Sequence, residues 1–273
     1  MRTSFDEYRK IPAVNWSTLK SMRRSPLQYL HDLSVEREDT TGFIFGGGAH
    51  CMILEPEKFD AEYAVFDGPT RRGKAWDAFA EANADRRILK VSEYEAVVAV
   101  RDAVMRHPLA KQHLTGGVAE QKLEWIDPAT GLACKGLVDY VTRRAYVDLK
   151  TTGDIDLRKF GALAARMGYH GQLAFYGAGL RATTGATRDA YIIAVEKDAP
   201  HDVGVFKLSK EDLTAGTDEC AQLMARVAEC RASGVWPGRY VEEQTLQLPT
   251  WIRDEEVDAE EFAPAESSMG EGL

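Results

Sequence analysis

The stretch 136–152, GLVDYVTRRAYVDLKTT, constrains the fold more than any other part of this 273-residue chain. Leu137, Val138, Tyr140 and Val141 precede a basic turn at Arg143 and Arg144, and Tyr146, Val147 and Leu149 follow it, so two short β-rich runs form a hairpin. Asp139 and Asp148 fall near one end of that hairpin. Asp148 and Lys150 are two apart and share a face, with Leu149 pointing into the opposite layer. Two neighbouring carboxylates repel unless a cation neutralises them, and all-oxygen ligation suits Mg²⁺ or Mn²⁺. The backbone carbonyl of Leu149 could add an oxygen ligand. A lysine beside such an ion can orient or activate water, or stabilise charge developing on phosphate. The pattern therefore points to phosphodiester hydrolysis; an ordinary hairpin with solvated charges has the same spacing.

The surrounding pattern predicts an α/β chain. Strands at Val118–Ile126 and Leu132–Val141 flank the turn Asp127–Gly131, so three antiparallel strands lead into Lys150. Runs at Ala190–Glu196 and Val203–Leu208 complete a mixed five-stranded sheet. If the first strand is regular, Glu120 and Glu124 share a face. Helices are predicted from Asn15 or Ser17 to Leu33, broken near Ser25-Pro26, and over Gly42–Pro56 with Phe45, Ala49, Met52 and Ile53 as the buried stripe. Gly46, Gly47 and Gly48 cost that helix propensity, which hints at close approach of another backbone or of nucleic acid. A third helix runs from Ser92 to His107, with Ser92 and Glu95 as a capping box. Asp154 or Asp156 caps a helix to about Arg166, Tyr169–Leu180 is another, and Ser209–Ser233 is a long one ended by Trp236-Pro237-Gly238.

Composition narrows the class. With 44% hydrophobic residues, one sizeable α/β domain fits this length better than two equal ones. No long apolar run and no leader pattern indicates a membrane span or secretion. The four cysteines, Cys51, Cys134, Cys220 and Cys230, lack C-x-x-C spacing and read as reduced thiols of a cytoplasmic protein. The net charge of −9 divides unevenly, because residues 254–273 hold eight acids and no Lys or Arg. The body is then near neutral, as a phosphate-binding channel requires, and the acidic stretch 253–273 reads as a disordered tail.

Downstream, Tyr169, Gln172 and Tyr176 form one stripe of a helix, with hydroxyls, rings and an amide able to grip a nucleotide backbone or hold the lysine side of a site. With the G-x-x-D run ending at Asp139, D-x-K at Asp148–Lys150 and Q-x-x-x-Y at Gln172–Tyr176, the chain resembles the RecB-like branch of the PD-(D/E)xK nuclease superfamily. It is most similar to the RecE (exonuclease VIII) type of phage and prophage exonuclease, over most of residues 15–252. The resemblance implies a restriction-endonuclease-like core, a central mixed sheet flanked by helices, with an N-terminal helical extension. The nuclease domain would span 1–252: mainly helical 15–115, sheet core 116–210, C-terminal helix and extension 211–252. Asp139, Asp148, Lys150, Gln172 and Tyr176 would be catalytic. His50, set four residues after Gly46 in a G-x-x-x-H helix, and Glu120 would join Asp139, Asp148 and the Leu149 carbonyl as metal ligands.

Further expectations follow from the same likeness. Mg²⁺ is the implied metal with Mn²⁺ as a substitute, and Cys220 and Cys230 cannot meet the iron–sulfur pattern of some RecB-like relatives. The basic face of Lys20, Arg23 and Arg24 would contact DNA, as would Tyr169. Arg71, Arg72 and Lys74 read either as surface charge or as a loop lining a DNA path, and Trp76 beside them as core or as a base-stacking ring. RecE relatives often carry a basic residue near Leu137, just ahead of the first aspartate, and its absence from this chain leaves DNA contact there in doubt. The implied activity is 5′-to-3′ digestion of linear duplex DNA in a bacterial or phage-infected cell, leaving 3′ single strands for a RecT-like annealing partner. The implied assembly is a ring enclosing the DNA end. A structure-specific endonuclease, a single-strand exonuclease and a non-catalytic DNA-end-binding protein are the alternatives.

Overall fold

A computed structural model describes residues 8, 10–35 and 39–249. The acidic stretch 253–273 lies outside them. By contacts the chain divides into a compact unit ending at Arg239 and a second beginning at Tyr240, of which 240–249 contains no helix or strand.

The order of elements runs from a helical N-terminal part into a sheet. A short helix α1 (Trp16–Leu19) continues as a 3₁₀ turn (Lys20–Arg23), and Pro26 then opens α2 (Pro26–Ser34), with Ser25 accepting from Gln28 N at 3.0 Å as its cap. Next come α3 (Thr41–Leu54), the short α4 (Phe59–Glu62), β1 (Tyr63–Phe66), α5 (Lys74–Ala82), β2 (Arg87–Lys90), α6 (Val91–Arg106) and α7 (Pro108–His113). The sheet region holds β3 (Val118–Ile126), β4 (Ala133–Val141) and β5 (Ala145–Thr152), then α8 (Leu157–Met167) and α9 (Tyr169–Thr184), β6 (Asp189–Glu196), β7 (Val203–Lys207) and the long α10 (Lys210–Ser233).

The main sheet has the order β3-β4-β5-β6-β7. All neighbours are antiparallel except β5 and β6, which run parallel because α8 and α9 form the crossover between them. This is the mixed five-stranded sheet anticipated above. β1 and β2 form a separate parallel pair.

Side-chain alternation on β5 divides the core. Val147 and Leu149 pack with Phe45, Ala49, Met52 and Ile53 of α3 and with α6 on one face, while Tyr146 packs with Leu173 and Leu180 of α9 on the other. Asp148 and Lys150 share parity with Tyr146 and so point towards α9. A third cluster joins Trp16, Leu19 and Met22 to Phe175 of α9 and Val227 of α10, seating the N-terminal helices on the crossover. Lys135, buried in β4, fixes the approach to α1 by donating to the carbonyl of Ile11 at 2.8 Å.

Three local readings are corrected. The first turn of α6 is closed two residues earlier than Ser92 and Glu95: Glu93 accepts from the backbone N–H of Lys90 at 2.8 Å. The glycines of α3 admit side chains, not a backbone; a Cβ on Gly47 would lie 2.6 Å from the Tyr63 hydroxyl. α10 ends at Gly234, left-handed at φ 73°, before Trp236-Pro237-Gly238 is reached.

Candidate active site

The site is built where β4 and β5 part. They pair only at Tyr140 with Val147 and Val141 with Tyr146. The next rung, Asp139 opposite Asp148, does not form. Instead Asp139 Oδ2 accepts the Leu149 N–H at 2.6 Å, so a side chain replaces the missing ladder bond and holds the strands apart. Carboxylates from both faces of the sheet thereby meet in one gap.

From the α3 side, His50 Nδ1 lies 3.6 Å from Asp139 Oδ2. Glu120 reaches the same place from β3, and ligand atoms of His50, Glu120 and Asp139 lie within 4.8 Å of one another. Glu120 does so through a left-handed backbone at φ 48°, rare for a residue with a side chain and a recurrent form of local strain at functional sites. The regular alternation with Glu124 is broken there, and Glu124 is exposed.

From the α9 side, Asp148 is 1% exposed. Gln172 Nε2 donates to its Oδ1 at 2.9 Å and to the Tyr176 hydroxyl at 3.2 Å. Its Oδ2 is sealed from solvent and faces the Lys150 ammonium at 2.5 Å, without any hydrogen bond of ordinary geometry. The Tyr176 ring lies over Gly136, where a Cβ would come within 3.2 Å of it, which accounts for the glycine three residues before Asp139. The Lys150 ammonium also sits 4.9 Å from the centre of the Tyr169 ring.

Burial dominates the electrostatics. It pushes the Asp148 carboxyl up to about 6, against the pull of Lys150. Glu120 is pushed up to about 8 by burial and then by the charge of Asp139; Asp139 is itself raised by burial, with Lys150 and the Leu149 N–H opposing. Burial would lower Lys150, but Asp148 and Asp139 outweigh it and hold the ammonium charged above its usual range. Burial, then Lys150, bring His50 down to about 4, so its approach to Asp139 is that of a neutral imidazole rather than an ion pair.

These donors fit a divalent cation. Three crowded carboxylates raised by burial and a neutral imidazole are what such a charge would satisfy, and the sealed Oδ2 of Asp148 has only the Lys150 ammonium as its counter-charge. His50, Glu120 and Asp139 would hold it, with Asp148 beside them. Because Asp148 and Glu120 must release protons, affinity for Mg²⁺ or Mn²⁺ is expected to rise between about pH 6 and 8. Calorimetric titration in buffers of differing ionisation enthalpy measures that release directly. Without metal the same raised carboxyls bind more protons folded than unfolded, so stability is expected to fall as pH climbs from about 4 through their folded values.

The family model described as "PDDEXK-like domain of unknown function (DUF3799)" matches residues 15–246. The chain belongs to that family. Nucleases of this PD-(D/E)xK type typically use divalent metals. A crystal structure from Eubacterium rectale, of a protein described as a candidate exonuclease, is similar with a TM-score of 0.65 and 16% identity, covering 94% of this chain and 99% of that one. The structure of SSO0001 matches at a TM-score of 0.28 and 13% identity, covering 82% of this chain and 96% of that one, too slight a likeness to bear on the fold. No curated protein matches by sequence. Among the described residues of this PDDEXK-like chain, no helix is long and apolar enough to cross a membrane.

The cationic residues named from the sequence fall into two groups, Lys20 with Arg23 and Arg24, and Arg71 with Arg72 and Lys74. Lys20, Arg23 and Arg24 line one cleft of about 330 Å³, together with Arg166, which the sequence did not single out because one exposed helical arginine carries no pattern. Arg23 is held by both oxygens of Glu219, with Nε donating at 2.5 Å. Arg71 is likewise engaged, donating to Glu93 at 2.9 and 2.5 Å and to the Ile88 carbonyl at 3.1 Å, whereas Arg72 and Lys74 are exposed. Trp76 packs edge-on against Phe66 at 5.2 Å.

Proposed function

We propose that this chain is a Mg²⁺-dependent deoxyribonuclease that digests linear duplex DNA from the 5′ end and leaves 3′ single strands. The observation that carries the reading is the gap between β4 and β5, where ligand atoms of Asp139, Glu120 and His50 lie within 4.8 Å of one another and Asp148, on the neighbouring strand, faces Lys150. Binding alone would not require a buried carboxylate paired with a lysine beside such a cluster of ligand atoms.

In the metal-loaded protein, the cation would polarise the scissile phosphate and acidify a bound water. The chain's own groups do the rest. Gln172 fixes Asp148 through Oδ1, leaving Oδ2 for the cation and for Lys150. Lys150, charged at neutral pH, orients the attacking water and offsets charge growing on the phosphate; it is not poised to take a proton. Burial at Asp148 excludes bulk water and strengthens these interactions.

Lys20, Arg24 and Arg166 would receive a backbone phosphate in their cleft. Replacing Arg24 and Arg166 by glutamate is expected to weaken DNA binding at all sequences and to lower the slope of log affinity against log salt by about one per arginine removed. A double variant with an unchanged slope would remove the cleft from the DNA path.

The resemblance to RecE-type enzymes supports the finer parts of the reading: 5′-to-3′ polarity, a ring of identical subunits around the DNA end, work in a bacterial or phage-infected cell, and a RecT-like annealing partner. Mn²⁺ is expected to substitute for Mg²⁺. The test compares linear and covalently closed duplex with separately labelled 5′ and 3′ ends. Loss of 5′ label from linear DNA alone supports the proposal; cut circles would favour an endonuclease, and binding without cleavage a non-catalytic end-binding protein.

A further inference from the structure

We infer that Tyr169 is a positioning residue for Lys150 rather than a DNA contact, and that Arg23, Glu219 and His170 form the clamp that sets it; this rests on the nuclease reading above. The Lys150 ammonium lies 2.5 Å from the Asp148 carboxylate and 4.9 Å from the centre of the Tyr169 ring, whose negative face it meets. The carboxylate is to be shared with a cation. The ring is the restraint that stays.

The backbone under Tyr169 is held from both sides. Gly168 joins α8 to α9 in a left-handed conformation, φ 75°, and a Cβ there would lie 2.4 Å from the Arg23 guanidinium, so that side chain packs directly on the junction. Arg23 is gripped by Glu219 of α10, and the residue after Tyr169, His170, places Nε2 3.3 Å from the same carboxylate. Arg23 also lies over the Trp16 ring at 5.5 Å. The residues before and after Tyr169 are therefore both set against the Arg23–Glu219 ion pair, which joins the N-terminal helices to α10. The ring itself rests near buried Phe160, with centroids 6.3 Å apart. This use of Arg23 also explains why its charge is already committed and why Arg24 and Arg166 fit the cleft's phosphate better.

The test reads geometry and turnover separately. In protein labelled at its lysine side chains, the Lys150 ε-CH₂ signal, identified by its loss in Lys150→Met, is expected upfield because of the ring. Tyr169→Leu should move it towards the exposed lysines and lower kcat about 10-fold with KM for DNA unchanged. Tyr169→Phe, which keeps the face, should restore the shift and bring kcat to within about twofold of wild type. Glu219→Ala should move the signal part of the way; no movement there overturns the clamp. A Tyr169→Leu protein with the Lys150 signal in place, or with raised KM and unaltered kcat, overturns the positioning role. If the signal follows Tyr169 while the wild type cleaves no DNA, the geometry stands and the nuclease reading fails.

Discussion

Replacing Lys150 by methionine is expected to lower cleavage by roughly 10²- to 10³-fold, the usual range for removing one group that stabilises charge developing at the reacting centre. The same change should destabilise the metal-free protein by about 3–5 kcal/mol at neutral and higher pH, because it leaves Asp148 buried without its counter-charge. Asp148 is sealed and Lys150 only partly exposed, so solvent screening reduces the effect without dissolving it. Asp148 can escape by keeping its proton, so the loss should shrink below its pKa of about 6. Urea unfolding with chelator at pH 5 and pH 8 separates the two regimes. A variant with full activity would remove Lys150 from the mechanism, and one with unaltered stability at pH 8 would remove the ion pair.

Asp139→Asn separates charge from structure at the other aspartate. The amide oxygen can still accept the Leu149 N–H, so the parting of β4 and β5 should persist. Its charge is gone, and Mn²⁺ affinity should fall more than ~100-fold, beyond the loss typical of a residue that merely orients a ligand. Cleavage should fall with it. With chelator the variant should melt no lower than wild type at neutral pH, since burial already disfavours the charged carboxylate that it replaces. Calorimetric titration with Mn²⁺ and melting curves report the two quantities; undiminished affinity would mean that the donors are wrongly assigned.

The sheet and much of its chemistry were legible because short-range rules govern them. The basic turn at Arg143 and Arg144 and the period-2 run after it place Asp148 and Lys150 on one face, and their atoms come within 2.5 Å. Helical spacing puts Gln172 and Tyr176 one turn apart, and Gln172 contacts both Asp148 and Tyr176. What escaped the sequence depends on tertiary contact. No local pattern shows that Asp139 would cap Leu149 N–H in place of a strand pair, or that Glu120 would leave the β region to face His50. Nor does charge alone reveal its partner: Arg23 and Arg71 read as open cations, yet each is bound by a glutamate far along the chain. The glycines of α3 signalled close approach correctly, but only the fold identifies Tyr63 as the neighbour of Gly47.

The most direct test of the central claim is anomalous diffraction at the manganese edge from crystals grown with Mn²⁺. The account expects a peak between His50, Glu120 and Asp139, within ligand distance of Asp148, and its disappearance in Asp139→Asn. A manganese peak elsewhere, or none at a concentration that supports DNA cleavage, would contradict it.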